Sequence, residues 1–334
     1  MYKSSGTLNL IDEDGINKSI ISVVRSGANY YTYTAPNGIK ELRECVADFL
    51  LKTEQMQTKA DDIIITTGSQ QSLNVVVDTF LKEGDTVLIE EPTYYGAIEV
   101  FKNKKINLVG VDIDENGIDL NMLEEKIEKY SPKLIYVVPT FNNPTGYSWS
   151  NDNRKAFLEI VNKHNVLVLE DAPYSLINFT GIEFKSLYNL NGGNNVIYLG
   201  TFSKIISPSL NVGYIVCNGF VDELIKVKKQ YDLCTSAFLQ CVVLNYLQNN
   251  DILKIMNVKN QIYKQKMQES ISSLKQEYGE MIEFISKIKG GLFYMVKFKC
   301  PVDTNIFQNG NDFYLNGDHS NITRVNICSW ILKR

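Results

Sequence analysis

Lys204 closes the run Tyr198-Leu199-Gly200-Thr201-Phe202-Ser203-Lys204, where an apolar stretch gives way to small and hydroxyl residues. A lysine ε-amine condenses with an aldehyde once it is neutral, and cationic neighbours favour that form. Asp171 opens the cluster Asp171-Ala172-Pro173-Tyr174 at the end of another apolar run. A carboxylate fixed there would keep a ring nitrogen protonated. Asn143, in Asn143-Pro144-Thr145-Gly146, offers an amide donor, and Tyr94, in Pro92-Thr93-Tyr94, a ring to stack on another ring. Gly68-Ser69-Gln70 reads as a glycine turn opening a helix, whose free N–H groups and dipole suit a phosphate. Each piece also has an ordinary reading. The lysine would be a surface residue, Asp171 and Asn143 turn residues, Ser69 a helix cap, and Tyr94 a packing residue with Tyr95 as its rival.

The elements that carry these residues favour chemistry. Residues 62–218 alternate strand and helix signals. Strands are expected at Asp62–Thr66, Thr86–Glu90, Leu134–Val138, Val166–Glu170, Val196–Leu199 and Gly213–Cys217, with a helix from Gly68 through Phe80. The strand runs are continuously apolar, which marks a mostly parallel sheet buried on both faces. Ligands bind such sheets beyond the strand carboxyl ends, where every cluster above falls. A lysine, an aspartate, an asparagine, an aromatic ring and a glycine-serine turn at that edge are the parts that hold pyridoxal 5'-phosphate (PLP). Beyond residue 220 the pattern changes to two long helices, Val221–Tyr246 and Asp251–Gln276, then strand-like segments at 282–286, 292–298 and 322–328. That is an α+β arrangement. The expected division is a large domain over 31–220 and a small domain built from 1–30 and 221–334.

The order and wording of these clusters resemble the class I/II aminotransferases of fold type I, in the branch of 2-aminoadipate and kynurenine aminotransferases and MocR-type effector domains. The resemblance runs from about Gly6 to Arg324. It implies a three-layer PLP transferase fold with a trimmed small α+β domain. It also implies that Lys204 carries the cofactor, Asp171 faces its ring nitrogen, and Tyr174 and Asn143 reach its phenolic oxygen. Tyr94 would stack on the ring. Gly68, Ser69, Gln70, Thr201 and Ser203 would serve the phosphate, and Tyr33 would reach the phosphate of a partner subunit in a homodimer. Arg324, with Gly6 and Asn143, would hold the substrate α-carboxylate, for which a planar two-pronged donor is well suited. The chain departs from the family in four ways. The N-terminal arm that usually precedes the Gly6 region is absent, a helix and a strand are missing between Val302 and Phe313, the C-terminal helix after Arg324 is cut to ten residues, and Asn211 stands where a phosphate-binding arginine is usual.

Bulk properties narrow the field. The 334 residues suffice for a large and a small domain, and the net charge of −4 includes no Lys/Arg block, so nucleic-acid binding is not expected. No apolar run is long enough to span a membrane, and no signal peptide is evident. Six scattered cysteines without a Cys-x-x-Cys pair point to a reducing cytoplasm. Two histidines, His164 and His319, argue against a His-rich metal site or a Ser-His-Asp triad, and no metal is expected; His164 reads as a surface turn residue. Five arginines leave few candidates for a carboxylate clamp. The leading expectation is transfer of an amino group from an α-amino acid to a 2-oxo acid such as 2-oxoglutarate. Other PLP chemistry (decarboxylation, elimination or cyclisation) and a non-catalytic aminotransferase-like subunit stand as alternatives.

Overall fold

The computed structural model describes residues 10–27, 29–303 and 307–328. Seven strands build the main sheet: β1 (Ile63–Thr66), β2 (Thr86–Glu91), β3 (Asn107–Asp112), β4 (Leu134–Val137), β5 (Leu167–Asp171), β6 (Val196–Thr201) and β7 (Gly213–Val216). Their order is β1-β7-β6-β5-β4-β2-β3. All pairings from β3 to β6 are parallel, while β7 runs antiparallel to both β6 and β1.

Alternate side chains feed two cores. Ile63, Ile65, Leu88, Ile135, Val168 and Tyr198 enter one, whereas Ile64, Val87, Ile89, Leu134, Leu169 and Ile197 enter the other. Helices cover both faces, which explains why the strands lack polar alternation. On the first face lie α2 (Lys40–Glu54), α5 (Leu120–Tyr130) and α6 (Asn151–His164), through Leu42, Leu123 and Phe157. On the second lie α3 (Gly68–Phe80), α4 (Tyr95–Asn103) and α8 (Val221–Tyr231), through Val76, Phe101 and Leu224. The expected three-layer α/β fold is therefore present.

The remaining helices are α1 (Glu13–Arg25), the short α7 (Leu187–Leu190), α9 (Ala237–Asn249) and α10 (Ile252–Tyr278). A second, antiparallel sheet has the order β10-β11-β9-β8, from β8 (Ile282–Ile285), β9 (Phe293–Phe298), β10 (Gln308–Asn309) and β11 (Ile322–Asn326). It is tied to the strand carboxyl ends of the main sheet. Ser286 Oγ donates to the Thr145 carbonyl at 2.7 Å, and Thr93 N to the Phe313 carbonyl at 3.1 Å.

Three expectations need correction. The helix expected over Val221–Tyr246 is two helices, α8 and α9. Asp232 leaves helical geometry for an extended one, and Ser236 restarts the helix by accepting from Leu239 N. Strand β3 has no counterpart among the expected strands. It lies at the sheet edge with Asn107 exposed and carries Gly110, so its apolar signal is weak. His164 is not a surface turn residue. It ends α6 half-buried, with Nε2 3.2 Å from Glu124 Oε1.

Candidate active site

One cavity of about 120 Å³ opens at the strand carboxyl ends, lined by Ser69, Asn143, Asp171, Tyr174, Lys204 and Arg324 among polar groups and by Tyr94, Tyr95, Val138, Pro173 and Phe293. Asp171 is the last residue of β5 and is buried. Its Oδ2 accepts from the Tyr136 hydroxyl at 2.8 Å, while its Oδ1 is buried with no hydrogen-bond partner. A buried carboxylate oxygen without a donor is costly, and a protonated ring nitrogen would satisfy it. Burial raises the Asp171 pKa to about 6, with the Tyr136 hydrogen bond opposing the rise.

Lys204 follows β6 by three residues and reaches the same cavity. Burial, and secondarily the charge of Arg324, lowers its pKa to about 8. A substantial neutral fraction therefore exists near physiological pH, as attack on an aldehyde requires.

Ser69 brings the first turn of α3 to the cavity. The helix's N-cap residue, Thr67, makes no side-chain cap bond, so the first-turn N–H groups are left for a ligand. Gly68 has φ +75°, where other residues are strained, and a Cβ there would lie 2.0 Å from Asn211 Oδ1 and push that amide aside. Asn211 itself has φ +46°, a conformation asparagine tolerates well. The amide that replaces the usual arginine thus sits directly against the turn. Behind it, Asp232 Oδ2 accepts from Thr67 Oγ1 at 3.0 Å and Gln71 Nε2 at 2.8 Å, and Asp232 Oδ1 from the fully buried Lys228 Nζ at 2.6 Å.

At the opposite end, Arg324 on β11 donates through Nη1 to Asn143 Oδ1 at 2.9 Å and through Nη2 to Gln308 Oε1 at 2.6 Å. The rings of Phe293, Phe313 and Tyr95 lie 4.2, 5.1 and 5.8 Å from its guanidinium carbon. The loop that presents Asn143 is anchored on buried Glu90, which accepts from Val138 N at 2.6 Å, Asn142 Nδ2 at 3.1 Å and Trp149 Nε1 at 2.9 Å. Burial raises the Glu90 pKa to about 7. Asn143 and Tyr174 line the same cavity.

Of the residues expected at the site, Ser69, Tyr94, Asn143, Asp171, Tyr174, Lys204 and Arg324 line the cavity, and so does Tyr95. Gly68, Gln70, Thr201 and Ser203 do not line it. Gln70 is exposed, and the Thr201 hydroxyl accepts from Ser203 N at 3.2 Å and reaches the Val212 carbonyl at 3.4 Å. Tyr33 stands away from the cavity with 80% of its surface exposed. Gly6 lies outside the described residues. Tyr136, Glu90, Phe293 and Gln308 join the site without having been expected there. A tyrosine and a glutamate inside doubly buried strands signal a need for partners, whereas Gln308 gave no signal at all.

The fold and the site together define an α/β enzyme with a lysine, a buried carboxylate and an arginine around one cavity, on a mostly parallel sheet. The family model for aminotransferase class I and II matches residues 13–328, and the chain belongs to that family. Its activity is amino-group transfer of that class. It is 28% identical over 319 residues to aromatic-amino-acid aminotransferase 1 of Thermococcus litoralis, covering 90% of this chain and 76% of that protein. It is 32% identical over 308 residues to the 2-aminoadipate transaminase of Thermus thermophilus, covering 88% of this chain and 76% of that one. The crystal structure of the alpha-aminoadipate aminotransferase of Thermus thermophilus, complexed with N-(5'-phosphopyridoxyl)-L-leucine, superposes with a TM-score of 0.89. That match has 29% identity and covers 97% of this chain and 85% of the other.

Proposed function

We propose that this chain uses PLP held on Lys204 to move the amino group of an α-amino acid to a 2-oxo acid. The observation that carries the reading is the unpartnered buried Asp171 Oδ1, in one cavity with Lys204 and Arg324. Bound there, PLP supplies an electron sink for the pair left at the substrate Cα. Asp171 holds a proton on the ring nitrogen, and Tyr136 holds Asp171. Once the substrate amine has displaced it, Lys204 Nζ would take the proton from Cα and deliver it to the cofactor carbon that the lysine had held. Arg324 grips the α-carboxylate and so orients Cα toward Lys204. Asn143 and Tyr174 would hold the ring oxygen, and Tyr94 would stack on the ring. Ser69 and the N–H groups at the α3 terminus would receive the phosphate, with Gly68, Gln70, Thr201, Ser203 and Asn211 around them rather than in the cavity lining.

The substrate side chain meets Tyr95, Phe293 and Val138, and Arg324 is the one guanidinium among the described cavity residues. This favours an aromatic or apolar side chain over a second carboxylate. Comparing L-phenylalanine with L-2-aminoadipate in a spectral titration tests it. A homodimer fits the exposed Tyr33, which would serve the partner's phosphate site. A cytoplasmic location fits the six unpaired cysteines.

Absorbance tests the core of the reading. Added PLP should give a visible band that amino acids shift, and borohydride reduction with peptide mapping should place the label on Lys204. Label on another lysine would overturn the assignment. For the dimer, Tyr33→Phe/Asn143→Ala and Lys204→Ala variants should complement partially when refolded together. An active monomer, or confirmed heterodimers without rescue, would refute the shared site.

A further inference from the structure

Arg324 is oriented by two neutral amide oxygens, and one of them lies outside every motif noted in the sequence. Gln308 and Arg324 are register partners on the adjacent strands β10 and β11, so their side chains stand on the same face of the small sheet. Gln308 Oε1 accepts from Nη2 at 2.6 Å. The amide is itself oriented, because Gln308 Nε2 donates to Asp312 Oδ2 at 3.2 Å, which turns Oε1 toward Arg324. The Gln308 backbone is tied separately, its carbonyl accepting from the Thr323 hydroxyl at 2.7 Å.

The neutrality of the acceptor matters. With Phe293 and Phe313 against the guanidinium and amide oxygens on Nη1 and Nη2, the group is fixed by neutral acceptors, and the Asp312 carboxylate acts on it only from behind Gln308. A carboxylate at position 308 would accept the same hydrogen bond, but it would neutralise the guanidinium and compete with the substrate. We propose that Gln308 is a positioning residue that holds Arg324 in the geometry for an incoming α-carboxylate without neutralising it. The proposal rests on the role of Arg324 as carboxylate receptor.

Two aminooxy reagents isolate the effect. Aminooxyacetate and methoxyamine both condense with PLP and displace Lys204, but only the first carries a carboxylate. The rate at which each bleaches the visible band of the PLP-loaded protein gives a carboxylate preference. In the wild-type protein aminooxyacetate should react about tenfold or more faster. Gln308→Leu should lower that preference about tenfold, with the methoxyamine rate as in wild type. Gln308→Glu should lower it further. A second readout is independent of the cofactor. With five arginines in the chain, nitrogen-15 arginine NMR should show separate Nη lines for Arg324 in the wild type and averaged lines in Gln308→Leu.

An unchanged preference in Gln308→Leu, or equal slowing with both reagents, overturns the proposal. Absence of a visible band after PLP addition overturns the cofactor reading instead. The arginine lines then still decide whether Gln308 holds Arg324, and unaltered lines overturn that contact.

Discussion

Arg324 Nη1 donates to Asn143 Oδ1 at 2.9 Å across 181 residues of sequence. That bond commits the amide oxygen to Arg324 and leaves the amide nitrogen as the donor of a residue that lines the cavity with Tyr174. Asn143 therefore joins the carboxylate end of the cavity to its ring-oxygen end. Arg324→Ala should spare the visible band of bound PLP and abolish the response to amino acids, while simple amines respond as before. Absorbance titration with an amino acid and its decarboxylated amine checks this, and equal loss for both would point to structural damage.

The Tyr136 hydroxyl is the donor that holds the Asp171 carboxylate. In Tyr136→Phe, both carboxylate oxygens lack protein donors and the Asp171 pKa should rise above about 6. Hydrogen bonds to charged groups contribute roughly 1.5–3 kcal/mol. PLP affinity at pH 8, measured by equilibrium dialysis, should fall about tenfold. An unchanged affinity would show that Tyr136 does not support the ring-nitrogen partner.

The depressed Lys204 pKa, about 8 against an ordinary 10.5, has two consequences. The rate at which PLP forms its visible band should climb between pH 7 and 8 and level off near pH 9, since only the neutral amine reacts. Between about 8 and 10.5 the unfolded chain binds the Lys204 proton more strongly than the folded one, so this residue makes stability rise with pH there and weakens the fold below 8. Denaturant unfolding of the cofactor-free protein should show that rise, and Lys204→Met should lack it. Parallel pH profiles for the two proteins would contradict the assignment.

Asn211→Arg restores the usual cation at the phosphate end. PLP should bind more tightly by up to about 1.5–3 kcal/mol. The left-handed backbone at φ +46° suits arginine less well, so the cofactor-free protein should melt lower. Calorimetry with and without PLP separates the two effects. Unchanged or weaker PLP binding would mean that other groups already balance the phosphate.

Asp232 links the buried Lys228 to the first turn of α3. Asp232→Ala strands a cation that is fully buried, and breaking such a pair costs about 3–5 kcal/mol. Stability should fall by about that much in urea unfolding. Adding Lys228→Met should recover much of the loss, because the stranded charge is gone. A double variant no better than the single one would refute the charge argument.

Short-range pattern was enough to place most of this site. Continuous apolar runs specify parallel strands, and parallel strands deliver their carboxyl ends to one edge. Lys204, Asp171, Asn143 and Ser69, each at or beyond such an end, were bound to meet there. The helix from Gly68 to Phe80 follows from a glycine turn and an apolar face alone. What the tertiary structure decided are contacts between residues far apart in the chain. Tyr136 reads as one more apolar strand residue until its hydroxyl meets Asp171 from the neighbouring strand. Gln308 has no local signature, because its role comes from the β10–β11 register that sets it beside Arg324. The break at Asp232 had no glycine or proline to announce it, since what holds Asp232 is hydrogen bonding to α3 across 161 residues. Periodicity reports what a segment buries, and it carries no information about which polar atoms the fold then brings within hydrogen-bonding reach of one another.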